Sequence, residues 1–336
     1  MGIRTQAFHM SVLIMPVQNE LFSSWLYRQG AVSIYSDLSI HQLLEMYQRC
    51  MQNGDFDPDF NFSSEFSRCA LKQLGLEDSD LPFFAPKSTW LIPRYYRGAF
   101  CYECFCDHIQ SFKLPTMLTE WCSVTQTVCP VHFFSLVDTP RKHNYKLNMA
   151  VRLFSDYHSQ SSFLAFPHPN LTPQVIDALL SIQSFVSSAE ARALDSGSDS
   201  EWRLIRTMIR IFLYPRHGII ASLFPKKSVG AETQLFRYNL HLGPLTSPVT
   251  RRQLAMLLTG LVLDVLEDSQ RSEAEQYLKF FDQRYYFFDS TAGLGRSANV
   301  FIPEHGRLLF AQLIELSAQI RSPYLAEFVA GFGGRH

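Results

Sequence analysis

The sequence predicts a mainly α-helical protein: an N-terminal unit of short, helix-turn-helix-like helices, a cysteine-rich knuckle region, and a mostly helical C-terminal domain. Three observations carry this. Apolar residues recur at helical spacing through most segments. Ser/Thr-Pro pairs open those segments, and glycines close them. Five of the seven cysteines crowd between positions 101 and 129. Hydrophobic residues make up 46% and charged residues 18% of the 336, which supports a sizeable core and argues against wholesale disorder. Phe alone occurs 28 times, so rings are expected to knit that core.

In chain order, Leu21, Phe22, Trp25 and Leu26 share one helical face, with Asn19 placed to cap the helix and Gly30 to end it. A second helix is predicted from Ser39 to Met51 on the stripe Ile40, Leu43, Leu44, Tyr47, and a third from Ser63 to Leu74, ending at Gly75. From Leu81 to Arg94 the prolines 82, 86 and 93 predict extended chain leading into the cysteines. Further helices are expected from Asn170 to Val186, opened by Thr172-Pro173, and from Trp202 to Arg210. Others are expected from Ser247 to about Leu266, Glu273 to Phe281, Gly306 to Ile320 and Pro323 to Ala330. The Ser-, Ala-, Asp- and Gly-rich stretch 187–200 reads as an exposed linker. The resulting organisation is an N-terminal domain over 1–150, containing a knuckle region at about 94–138, and a helical domain over 151–336.

A formal net charge of −1 argues against coating nucleic acid by bulk electrostatics, yet leaves room for a local basic face. The candidates for nucleic-acid or partner contact are the helical row Arg203, Arg206, Arg210, with Lys226, Lys227, Arg251 and Arg252. No apolar run approaches the length of a membrane span, so no membrane association is expected. An odd, clustered set of cysteines points to metal in a reducing compartment rather than to a disulfide framework, which makes the cytoplasm the expected location.

The cluster itself is specific. Cys101 and Cys104 stand two residues apart, and Cys129 and His132 repeat the gap. Two such pairs supply the four ligands of a closed tetrahedral zinc site, so one structural zinc is expected at Cys101, Cys104, Cys129 and His132. Its binding would contribute on the order of 10 kcal/mol to the local fold. Cys106, His108 and Cys122 lie close enough in sequence to substitute. Other chemistry is thin. Asp55, Asp57 and Asp59 start like a calcium loop but lack its glycine and closing glutamate, and Pro58 interrupts them. Gly293-Leu294-Gly295-Arg296 lacks the glycines and preceding strand of a phosphate loop, and one His in Pro215-Arg216-His217-Gly218 makes no site. No nucleophile, paired-acid or open-metal constellation is present, so no enzymatic activity is expected.

Two motifs in order resemble a known family. The segment Pro16-Val17-Gln18-Asn19-Glu20-Leu21-Phe22-Ser23-Ser24-Trp25-Leu26-Tyr27-Arg28 resembles the opening of TniQ/TnsD-type transposition proteins. Cys101 and Cys104, then Trp121, then Thr127-Val128-Cys129-Pro130-Val131-His132 are similar to that family's zinc knuckles. The resemblance covers roughly residues 10–140. Tyr102 and Glu103 replace the usual residues of the first knuckle, Phe133 stands where a glycine commonly follows the histidine, and a further downstream Cys pair is missing. The resemblance implies a non-catalytic target-selection adaptor of a cut-and-paste transposon. Such a protein links a recognition module, either target DNA or an RNA-guided CRISPR Cascade complex, to a transposon AAA+ ATPase, in some cases as a homodimer. The competing expectation is a stand-alone, sequence-specific DNA-binding protein using the N-terminal helices.

Overall fold

A computed structural model describes residues 14–32, 40–50, 57–74, 84–138, 146–159, 171–197, 199–215, 218–224, 236–281 and 290–334. Among these it contains fourteen α-helices and two two-residue strands, β1 (Ala99–Phe100) and β2 (Val137–Asp138). The mainly helical expectation holds. No described helix is long and apolar enough to cross a membrane.

The chain divides into two compact units that interleave along the sequence. The first comprises Met1–Lys87, Pro93–Cys122 and Thr139–Phe163; the second comprises Ser88–Ile92, Ser123–Asp138 and Leu164–His336. Instead of one break near residue 150, two short segments from the N-terminal half belong with the C-terminal helices.

The first unit holds α1 (Phe22–Val32), α2 (Ile40–Cys50), α3 (Glu65–Leu74), α4 (Tyr102–Phe112) and α5 (Met149–Ser159). Phe22, Trp25, Leu26, Tyr47, Phe66 and Phe84 belong to one buried, aromatic-rich hydrophobic cluster. The N-terminus of α1 is capped from a distance. Ser23 N donates to Asp59 Oδ1 at 2.8 Å, while Asn19 takes a left-handed φ of 61° and its amide donates to Glu120. Asn19 is therefore not the cap, and Gly30 does not end the helix, which continues to Val32.

Glu20 is the polar centre of this end. Its carboxylate accepts from Arg28 Nη2 at 2.7 Å and Nε at 3.2 Å, from Val17 N at 2.9 Å and from Ser24 Oγ at 3.3 Å. Both partners of the ion pair are buried. Burial pushes the Glu20 carboxyl up, against the opposing pull of Arg28 and its other donors. Trp25 Nε1 donates to Ile14 O at 2.7 Å, and Arg28 also reaches Met15 O at 2.8 Å, so the same helix face ties down the chain before it. A second buried network joins Asp57 and Asp59 to Arg94 and Arg97, with Arg94 Nε donating to Tyr47. Burial raises that phenol to about 12, so it stays protonated.

The second unit holds α6 (Pro173–Ser196), α7 (Ser200–Phe212), α8 (Ile219–Ser222), α9 (Phe236–Thr246), α10 (Val249–Leu263), α11 (Asp268–Phe281), α12 (Thr291–Ala298), α13 (Pro303–Ser317) and α14 (Pro323–Gly333). Thr172 caps α6 as its sequence predicts, its Oγ1 accepting from Val175 N at 3.2 Å. The expected linker at 187–200 is mostly the last turns of α6. Val186, Ala189 and Glu190 fall on its buried face, and the helix ends at Ser196 with Gly197 at φ 69° as its C-cap. Alanine is the best helix former, so an Ala- and Ser-rich composition did not prevent helix here. α10 is buried around nearly its whole circumference and forms the centre of the core. The Gly293-Leu294-Gly295 run lies in α12, where a Cβ on Gly295 would meet Phe328 O at 2.2 Å; the glycine permits close contact with α14.

Two segments from the N-terminal half thread this helical core. Glu190 of α6 accepts from Thr89 N and Oγ1 at 2.5 Å each and from Ser88 Oγ at 3.2 Å. Trp90 then packs edge-on against Trp202, with ring centroids 5.9 Å apart.

Glu20→Ala removes one member of a buried pair and leaves Arg28 uncompensated. The expected cost is about 3–5 kcal/mol, read as a lowered urea midpoint without a change in slope; a loss within experimental error would show that the pair is not structural.

Candidate metal centre

The four predicted ligands come together. One sulfur each from Cys101, Cys104 and Cys129 and a ring nitrogen of His132 all lie within 4.8 Å of one another. The three cysteines are buried and His132 is half-buried. A tetrahedral ion with sulfur bonds of about 2.3 Å sets its ligands about 3.8 Å apart, so these positions fit one ion. None of the seven cysteines is disulfide-bonded, which leaves three soft sulfurs and one imidazole as the donor set.

Each half of the cluster has a local cause. Cys101 is the extended N-cap residue of α4, at φ −97° and ψ 122°, and Phe105 N donates to its carbonyl at 3.2 Å. Cys104 follows in the first helical turn, so both sulfurs stand at the helix N-terminus, whose dipole favours the thiolate. Cys129 and His132 flank a tight turn in which Phe133 N donates to Cys129 O at 3.0 Å and Cys129 N to Phe134 O at 2.8 Å. Closing it requires Phe133 to adopt φ 57°, in the left-handed region that favours glycine. Cys129 Sγ then stands 3.7 Å from His132 Nδ1.

The segment entering this turn is held by Gln183 and Gln253, which sequence reasoning did not single out, and by Arg252, which it assigned to the surface. Gln183 Oε1 on α6 accepts from Thr127 N at 2.7 Å and Val128 N at 2.8 Å, and its amide donates to Val128 O at 3.2 Å. Gln253 Nε2 on α10 donates to Thr127 O at 3.2 Å and Ser135 Oγ at 2.7 Å. Arg252 Nη1 donates to the carbonyls of Ser123, Val124 and Gln126 at 2.9, 3.0 and 3.2 Å. The available signal was weak: Gln183 falls on the stripe Leu179, Ile182, Val186, and the pair 252–253 opens an otherwise apolar run.

The alternative ligands stay outside the cluster. Cys122 is buried, its sulfur lies 3.8 Å from Leu118 O, and burial raises its thiol to about 12. Cys106 and His108 lie on α4 and are not among the clustered residues.

The predicted cationic contacts separate. Arg252 is buried and satisfies three carbonyls, so it is a packing residue and not a surface contact. Arg251 lies 4.8 Å over the Phe224 ring, half-buried, with its charge disfavoured by burial. Arg203 is exposed, 3.8 Å from Asp199 one helical turn back. Arg206 and Arg210 sit beside Trp90. Lys226 and Lys227, and with them Arg216 and His217, lie outside the described residues. No family model, curated protein or solved structure matches the chain.

Cys104→Ser should abolish metal binding, read by elemental analysis as loss of the roughly one ion per chain expected of the wild type; equal metal content in both would exclude the cluster. Phe133→Gly relieves the left-handed strain at an exposed position and should stabilise the protein by up to about 1 kcal/mol, measured by thermal melting of the metal-loaded protein.

Proposed function

We propose that this chain is a zinc-stabilised, non-catalytic adaptor for target selection in transposition, of the TniQ/TnsD kind. The observation that carries the reading is the fit between motif and structure at the N-terminus. The acidic residue, the Ser-Ser-Trp core and the arginine of the 16–28 segment all make specific buried or half-buried hydrogen bonds. Glu20 pairs with Arg28, Ser24 bonds Glu20, and Trp25 anchors the preceding chain. Side chains that depend on one another in this way support reading the segment as one motif.

The knuckle gives independent support. Phe133 occupies the position where the family commonly carries glycine, and its φ of 57° is the conformation for which glycine is suited. The donor set favours zinc, since thiolates select soft or borderline ions and the four ligands match tetrahedral coordination. A site closed by four protein ligands keeps no position for water or substrate, so zinc serves the fold here and supplies no Lewis-acid chemistry. A braced knuckle is rigid, and rigidity lowers the cost of docking a partner. The partners in this reading are a transposon AAA+ ATPase on one side and target DNA or an RNA-guided Cascade complex on the other, with the chain acting alone or as a homodimer in the cytoplasm.

The purified protein should contain about one zinc per chain and co-elute with the AAA+ ATPase of its own transposon. Cys129→Ser should weaken that association, and deletion of the gene should abolish targeted insertion while transposase strand transfer persists in permissive assays. Tight, sequence-specific binding to one short duplex at physiological salt, with no ATPase or guide complex association, would establish the stand-alone DNA-binding protein instead.

A further inference from the structure

α7 carries an unusual pair of charges. Arg206 and Arg210 stand one helical turn apart on its partly exposed side, and both lie over the same indole: their guanidinium carbons are 5.3 and 5.7 Å from the Trp90 centroid. Arg206 is also 5.6 Å over Trp202. Both rings are buried, so the two arginines are held against an apolar floor. Like charges at this spacing repel, and the usual remedy is a carboxylate between them.

Among the described residues neither arginine forms an ion pair with a carboxylate. The acid that acts on Arg206 is Glu190, whose Oε1 is taken up by Ser88 and Thr89. Arg210 Nη2 instead faces His241 Nδ1 at 3.4 Å, a neutral partner. The Nε groups of both arginines and the Trp90 Nε1 are buried and find no acceptor among the described residues. Burial, reinforced by Arg206, lowers Arg210 to about 10. Burial and then the two arginines lower His241 as well. A desolvated pair of cations with unused donors is costly, and an oxyanion with several acceptor oxygens would relieve each of these costs at once.

We propose that Arg206 and Arg210 form a phosphate-binding site on α7 that takes the sugar-phosphate backbone of a nucleic acid, with Arg203 extending it. The polyanion is favoured over an isolated phosphate by the row itself. Residues 203, 206 and 210 place three cations at steps of about 4.5 and 6 Å along the helix axis. A linear array of charges, such as a duplex strand with one charge per about 3.4 Å of axis, can engage all three. The site reads no sequence, because Trp90 and Trp202 are buried and offer no exposed face for stacking on a base. This inference stands on the geometry of α7 and goes beyond the adaptor reading. It fits equally with a partner that brings its own nucleic acid.

The test is equilibrium binding of the full zinc-loaded chain to a short labelled duplex of arbitrary sequence, measured across a salt series. Engagement of three phosphates predicts a slope of log K against log salt of about −2.7, and the double variant R206Q/R210Q should lose about 1.8 of it. R206K/R210K should keep the slope, and R192Q, at an exposed arginine paired with Glu201, should leave it unchanged. An unaltered slope in a normally melting R206Q/R210Q protein overturns the proposal. Should that variant fail to fold, Arg203→Gln at the exposed end decides: a loss of about 0.9 supports the site, and no change overturns it. Saturable binding of inorganic phosphate or a phosphopeptide without binding of the duplex overturns the nucleic-acid assignment. ATPase co-elution of the same variants is measured separately, so a failure here is distinguishable from a failure of the adaptor reading.

Discussion

A backbone that passes through a helical core without a sheet beside it must have its amides and carbonyls satisfied by side chains, because each buried group left unpaired costs roughly 1–3 kcal/mol. Residues 123–128 pose this problem. The solution is Gln183 from α6 and Arg252 and Gln253 from α10, which together bond groups from Ser123 to Val128. Cys129 follows directly, so the helical core and the metal turn share one set of hydrogen bonds. With the bonds from Ser88 and Thr89 to Glu190, these tie residues 88–92 and 123–138 to the second unit despite their place in the N-terminal half.

The first unit meets a comparable constraint with charge. Arg28, Arg94 and Arg97 are buried, and each has a carboxylate: Glu20 for the first, Asp59 and Asp57 for the other two. Such pairs gain little against a well-packed apolar core, but breaking one is severe, and they fix which helix end meets which loop. The Asp57-Pro58-Asp59 run that resembles the start of a calcium loop is occupied in this way, with its oxygens directed to arginines and to the first turn of α1.

The arginines of the second unit show the contrast. Arg252 is buried with its Nη1 engaged by three carbonyls and belongs to the core, whereas Arg206 and Arg210 are half-buried with no ion pair among the described residues. Composition treats these residues alike. Their difference lies in whether a neighbouring segment offers acceptors, and that depends on which distant segment is adjacent.

Much of the architecture was legible in the sequence because it rests on local physics. Helical periodicity located α2, α3, α6, α7, α10, α11, α13 and α14, and ligand type with spacing identified all four members of the metal cluster. Capping was legible where the cap is local, as at Thr172, and misleading at Asn19, where Asp59 caps α1 from 36 residues away. The stretch 187–200 looked like a linker because composition cannot reveal that Ala189 and Glu190 face a core. Tertiary structure alone decided the interleaved units, the exclusion of Cys106, His108 and Cys122 from the cluster, and the separate fates of the arginines. Those outcomes depend on contacts between residues far apart in the chain, and periodicity and spacing report only on neighbours.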